Sequence, residues 1–258
     1  MLFSKKIDPA SVLFCFENTG VYTFPLSSFC SEHQLDYWIV PAIEIKPSKG
    51  ISRGKNDKSD TKDIALYSIL QIDKLQLSVL PESEIQQLSL LFAEREKLVK
   101  SLLIFGTTKE NENYTPKAVY KTVEVVNKKT IVFLKKTLKA VEKKMKAIIT
   151  NQITLKQQLE LMQTIPGVGE KTAIYFIIIT KGFTDFDSAR KLACYAGVAP
   201  FEYSSGPSIR GKIKVNHMTD KKMKSLLQMC ALSAIKCDGQ IKEYYIRKQK
   251  EGKTKCWF

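Results

Sequence analysis

The first apolar run, residues 11–16 (Ser-Val-Leu-Phe-Cys-Phe), is short and rich in β-formers. It reads as a buried strand with Glu17 at its end. After the turn Asn18-Thr19-Gly20, residues 23–32 form an amphipathic pattern with Pro25 near its start, which predicts a helix. Tyr37-Trp38-Ile39-Val40 reads as a second strand, stopped by Pro41. Strand, helix, strand in that order predicts a parallel α/β sheet. A polar loop over residues 46–62 opens into a helix carrying Ile64, Ala65, Tyr67, Ser68 and Ile69. Residues 75–80 form a short extended segment before Pro81.

Two long helical patterns follow. The first carries Ile85, Leu88, Leu91, Phe92, Leu98, Val99 and Leu102. The second carries Ile131, Leu134, Leu138, Val141, Met145 and Ile148, alternating spacings of three and four as in a heptad seam. Its outer positions hold Lys135, Lys136, Lys139, Lys143, Lys144 and Lys146. The polar stretch 106–116 joins the two. A helical hairpin with a solvated face and a dimerising coiled coil both fit. A further helix is expected over about 221–236. The organisation predicted is 1–81, an α/β domain; 82–158, a helical hairpin or coiled-coil linker; and 159–258, a helical C-terminal domain.

The net charge of +15 on 258 residues draws the chain toward phosphates, so nucleic acid is the leading partner class. A lysine-rich solvated surface is the plainer alternative. Cys15, Cys30, Cys194, Cys230, Cys237 and Cys256 include no CxxC pair, and His33 and His217 are the two histidines, so a structural zinc site is not expected. His33 is expected on a partly exposed helix, and His217 lies in a basic segment. The start lacks a secretory h-region and no stretch reaches the length of a membrane span, which predicts a cytoplasmic chain with reduced thiols and no membrane partner.

Three constellations bear on chemistry. Glu17 stands after a strand, and Asp57 and Asp60 lie three apart where a helix begins, so the two aspartates share a face. Converging carboxylates make a hard, oxygen-rich site for Mg2+ or Mn2+, the ions of phosphoryl transfer. Surface acids at such spacings are also common; Asp63, a turn further, is a second choice. Next, Ile165-Pro166-Gly167-Val168-Gly169 before Lys171-Thr172-Ala173 has the form of a helix-hairpin-helix, whose Gly167, Gly169 and Lys171 suit a phosphate backbone. A structural corner without a ligand gives the same pattern. Last, residues 195–200 (Tyr-Ala-Gly-Val-Ala-Pro) lead to Ser204-Ser205-Gly206. A serine there is either a turn residue or a nucleophile toward a phosphodiester, with Arg210, Lys212 and Lys214 able to stabilise developing charge. Phe183, Phe186, Tyr195 and Phe201 are expected in the core.

In their order along the chain, residues 16–22 (Phe-Glu-Asn-Thr-Gly-Val-Tyr), 54–60 (Gly-Lys-Asn-Asp-Lys-Ser-Asp), 165–169, 196–200 and Ser204-Ser205-Gly206 resemble the Piv/MooV-like DEDD transposases of bacterial insertion sequences, which act as RNA-guided bridge recombinases. The resemblance implies a RuvC-like (RNase-H-type) N-terminal domain with four acids in the order Asp, Glu, Asp, Asp. Glu17, Asp57 and Asp60 match the last three. It also implies a C-terminal transposase domain whose serine becomes linked to DNA. Ser205 matches that serine, with Ser204 adjacent. Homo-oligomers, a structured noncoding guide RNA and a divalent metal are implied as well.

Three departures stand beside it. Glu17 is sixteen residues from the start, leaving no room for the strand that carries the first aspartate, and Asp8 does not resemble it. The chain ends at Phe258 where relatives continue. Met218-Thr219-Asp220 replaces a Gly-Asn pair. The expectation is therefore a transposase truncated at both ends. The alternatives are a catalytically inactive remnant and a plain helix-hairpin-helix DNA-binding protein.

Overall fold

The structure, a computed structural model, describes residues 11–42, 44–45, 56–107, 114–201, 204–205, 209–210, 214–215 and 219–252. The chain divides into two units, Met1–Pro81 and Glu82–Phe258.

In the first unit, β1 (Phe14–Glu17) and β2 (Tyr37–Val40) pair in parallel, joined through helix α1 (Phe24–Glu32). This is the sheet that the strand, helix, strand order predicts. The strand is shifted relative to the apolar run: the ladder pairs Phe14 with Tyr37 through Glu17 with Val40, so Glu17 occupies its last rung instead of following it. Residues 75–80 are extended but make no ladder. They attach to β2 through the Ser78 N–H, which donates to the Tyr37 carbonyl at 2.8 Å, and the Ser78 Oγ, which accepts from the Ile39 N–H at 2.9 Å. Helix α2 (Asp57–Leu70) packs on β1. Trp38, Val40, Ile45 and Tyr67 form the core of this unit, with Leu13, Cys15, Ile64 and Leu75 against it.

The second unit opens with α3 (Ser83–Thr107) and α4 (Lys117–Asn151), which pack along one another. The heptad seam faces inward: Ile131, Leu134, Leu138, Val141 and Ile148 are half-buried and Met145 is fully buried. Helices α5 (Ile153–Gln163), α6 (Glu170–Ile179), α7 (Ala189–Tyr195), α8 (Lys221–Ala234) and α9 (Gln240–Lys250) follow. Phe92 and Leu88 of α3, Met145 and Ile149 of α4, Leu155 of α5, Ile174 to Ile177 of α6 and Met223 of α8 share one core. Helix α6 is buried on most of its circumference because Ala173 through Ile177 are all apolar.

Between α7 and α8 the chain runs out and back through four short strands. β3 (Pro200–Phe201) pairs antiparallel with β6 (Lys214–Val215), and β4 (Ser204–Ser205) pairs antiparallel with β5 (Ile209–Arg210), nested inside it. The aromatic expectation fails here. Phe183, Tyr195 and Phe201 are 41%, 43% and 47% exposed. They fall in a turn, at the exposed end of a short helix whose inner side is made by Leu192, and on an exposed strand. Phe186 is half-buried and meets Tyr195 edge-on, with ring centroids 5.3 Å apart. The five described cysteines are unpaired thiols. Among the described residues, no helix is long and apolar enough to cross a membrane.

Two glycines hold the second unit together by having no side chain. Gly167 has φ +87°, and a Cβ there would lie 2.4 Å from the Cys230 carbonyl oxygen and 3.0 Å from the Ala234 nitrogen, so the turn before α6 sits directly on the α8 backbone. Gly197 has φ +66° after α7, and a Cβ there would lie 2.3 Å from Thr219 Cγ2. Gly169 meets nothing within 4 Å. Alanine at Gly167 or Gly197 should therefore lower unfolding free energy by about 2–4 kcal/mol through overpacking and left-handed strain. Gly169→Ala should change it by less than about 1 kcal/mol. Urea unfolding of the three variants checks the ranking.

Candidate functional site

In the first unit the acids stand on the elements that the sequence assigns them. Glu17 is half-buried at the end of β1, and the next residue, Asn18, donates its N–H to the Val40 carbonyl at 2.9 Å. Asp57 and Asp60 lie in the first turn of α2, where Asn56 caps the helix by accepting from the Lys58 N–H at 3.0 Å. Carboxylates there also favour the positive end of the helix dipole, which explains them locally without a ligand. Their chemistry suits a hard divalent ion. Among the described residues, however, no three histidine, cysteine, aspartate or glutamate side chains stand together as a metal-holding group. The donor type fits such an ion and the gathered arrangement does not. Sequence reasoning missed one acid contact in this unit: Tyr67, packed on Trp38, donates from its hydroxyl to Glu44 Oε2 at 2.8 Å. Burial and the nearby Glu44 push the Tyr67 hydroxyl up to about 12.

In the second unit the serine pair sits on β4. Ser204 is opposite Arg210 and Ser205 opposite Ile209, while Lys214 is opposite Phe201 in the outer ladder. The register thus places two of the three expected cations on the return side of the same hairpin; Lys212 and His217 lie outside the described residues. Both roots of the hairpin are fixed. Gly197 lies against Thr219, and the Asp220 N–H donates to the Tyr195 carbonyl at 3.2 Å. The Asp220 carboxylate caps α8, accepting from the Lys222 and Met223 N–H groups at 2.9 Å each. Its other oxygen accepts from the Tyr175 hydroxyl at 2.7 Å. Burial, then Asp220, raises the Tyr175 hydroxyl far above the usual tyrosine range, so it stays a donor.

Around this root lies a network that periodicity does not announce. Lys222 pairs with Glu96 at 2.8 Å and lies 4.3 Å from the Phe92 ring centroid and 4.7 Å from that of Tyr175. Arg95 bridges Glu96 and Glu142 at 3.1 and 2.8 Å. Lys171, expected to meet phosphate, is instead 3.7 Å from both Glu142 and Glu170. Gly167, expected at a phosphate, faces the α8 backbone; Gly169 is open.

Burial works to raise Glu142, but the Arg95 hydrogen bond and Lys171 outweigh it and leave its carboxyl lowered. A lowered folded-state value gives stability that is present above the ordinary glutamate range and lost as pH falls through the folded value. Glu142→Gln should therefore be less stable than wild type by about 1–3 kcal/mol near neutral pH. That gap should narrow as pH falls below the ordinary glutamate value of 4.5 and close only once pH is below the lowered folded value. Thermal unfolding across this window checks it, and a gap independent of pH contradicts it.

Comparison with known proteins bears on both units. The family described as "Transposase IS116/IS110/IS902 family" matches residues 159–246, and a second family, described as "Transposase" and of the IS110 DEDD type, matches residues 2–105. The chain is 28% identical over 246 residues to the pilin gene-inverting protein of Moraxella lacunata, covering 93% of this chain and 72% of that protein. The pilin gene-inverting protein of Moraxella bovis matches with the same identity and coverage. The insertion element IS110 uncharacterized 43.6 kDa protein of Streptomyces coelicolor is 33% identical over 94 residues, 36% of this chain and 23% of that one. With one transposase family matching residues 2–105 and another residues 159–246, the chain belongs to the IS110/IS116 family of transposases.

Proposed function

We propose that this chain cuts and rejoins DNA through a covalent link between Ser205 and a DNA phosphate. The observation that carries the reading is the nested hairpin. Its serine pair lies in register with Ile209 and Arg210, Lys214 belongs to the outer ladder, and both its roots are fixed by Gly197, Thr219 and Asp220. A serine on a basic hairpin anchored at both roots suits attack on a phosphodiester. The Ser205 oxygen–phosphorus bond forms as a sugar oxygen–phosphorus bond breaks. The serine proton leaves to a base, and the departing sugar oxygen takes one up. A DNA hydroxyl then reverses the exchange on a new strand, so one phosphoester replaces another at each stage. The printed name of the Moraxella relatives, gene-inverting protein, describes an outcome that needs strands both broken and resealed.

In the same reading, Met1–Pro81 is a RuvC-like domain in which Glu17, Asp57 and Asp60 supply ligands for Mg2+ or Mn2+. The ion, when bound, neutralises phosphate charge. Because the described residues do not gather three acids, no step is assigned to it. Residues 82–158 form a spacer, and 159–258 a transposase domain whose helix-hairpin-helix approaches a DNA backbone through Gly169. In this reading Arg210, Lys212 and Lys214 supply positive charge to the same DNA. A structured guide RNA, a homo-oligomer and a cytoplasmic setting complete the reading. A bare helix-hairpin-helix binder is less well supported, since Gly167 is committed to α8 and Lys171 to Glu142 and Glu170.

The full chain, incubated with DNA carrying the ends of its element, should form a denaturant-resistant protein–DNA adduct. Ser205→Ala should reduce it on the order of 10³-fold or more, and Ser204→Ala should retain it. Glu17→Gln, Asp57→Asn and Asp60→Asn should each lower its metal-dependent formation. An adduct that persists in Ser205→Ala overturns the serine assignment.

A further inference from the structure

Helix α4 carries ten lysines against two glutamates. At about 100° per residue, Lys117, Lys121, Lys128, Lys135, Lys139 and Lys146 fall on one line. That line begins roughly a quarter-turn round the helix from the stripe buried at Tyr120, Asn127, Met145 and Ile149. A second row, Lys129, Lys136 and Lys143, runs beside it toward the side opposite the core. All nine are exposed, with Val125 and Val132 as the apolar positions among them.

Neither glutamate lies within this face. Glu142 is turned to Arg95 and Lys171, and Glu124, at the edge, pairs with Lys128. Among the described residues that is the one salt bridge the nine lysines make. Lys117 with Lys121, Lys135 with Lys139 and Lys139 with Lys143 are like charges four apart, an arrangement that weakens a helix. Lysines on inner helix faces of the same unit behave otherwise: Lys171 and Lys222 each have a carboxylate partner. A unit that pairs its inner lysines Lys171 and Lys222, and in which eight of these nine outer lysines make no salt bridge among the described residues, is matched to an external polyanion.

From this face we infer that α4 is a docking rail for the phosphate backbone of duplex DNA. The column spans about 44 Å. That exceeds one duplex turn of roughly 34 Å, so a duplex lying along it meets the rail at more than one backbone crossing. DNA is chosen over RNA because the family is one of DNA transposases. The inference rests on the proposed function and adds a contact surface that the serine chemistry does not require.

The test uses the full chain and a duplex DNA of fixed sequence, with affinity measured by fluorescence anisotropy over a range of salt. Each lost phosphate contact lowers the slope of log affinity against log salt by about 0.9. The triple variant Lys121→Gln, Lys135→Gln, Lys139→Gln should therefore lower the slope by about 2.7. Its melting temperature should be unchanged or raised, since glutamine suits helices and like charges are removed. The triple arginine variant should keep the slope, and so should Lys144→Gln, whose position is on the far side of the helix. An unchanged slope in the glutamine variant overturns the rail, as does a fall of about 0.9 in Lys144→Gln, the full share of one rail lysine. A fall seen with structured RNA and not with duplex DNA overturns the choice of DNA. A wild-type chain that binds no duplex overturns the proposed function itself, a result distinct from normal binding with an unaltered slope.

Discussion

One carboxylate organises the part of the molecule that carries the serine. Asp220 accepts two backbone N–H groups at the start of α8 and the Tyr175 hydroxyl from α6, and its own N–H reaches the Tyr195 carbonyl at the end of α7. Three helices thus meet at a single residue. The hairpin that leaves α7 and returns to α8 has an exposed outer strand at Pro200–Phe201. Its placement is therefore set at its roots, by Asp220 and by the close seat of Gly197 on Thr219. A charged acceptor of several hydrogen bonds is worth more than a neutral one, and it is costly to remove when its donors are half-buried.

The same neighbourhood explains how a chain of such positive charge packs its helices. Lys222 enters between α3 and α6 with Glu96 as counter-ion and the Phe92 and Tyr175 rings as walls. Glu142 takes Arg95 and Lys171 together. Positive charge turned inward is neutralised locally, while on the outer face of α4 the described salt bridges reach only Lys128. Architecture and binding potential follow from the same division of lysines.

Local order was legible in the sequence; tertiary commitments were not. The parallel pairing of Phe14–Glu17 with Tyr37–Val40, helix α1 and the seam of α4 follow from period and from turn residues. Gly167 and Gly169 look equivalent as letters, yet one is filled by the backbone of a helix more than sixty residues later and the other is open. Nothing local distinguishes them. Phe183, Tyr195 and Phe201 are apolar enough for a core but stand at exposed positions of their elements, and Leu192, not Tyr195, is the residue of its helix that packs on the core. For the site, the strand end of Glu17 and the helix start of Asp57 and Asp60 were readable, whereas the partners of Lys171 and the many bonds of Asp220 depend on contacts between distant segments.

A double-mutant cycle on Tyr175→Phe and Asp220→Asn tests most directly whether this joint governs the second unit. The hydroxyl–carboxylate bond predicts a coupling free energy of about 1–3 kcal/mol in equilibrium unfolding, with the double variant less destabilised than the sum of the singles. Strictly additive losses would contradict the account, leaving the hairpin to be positioned by something other than Asp220.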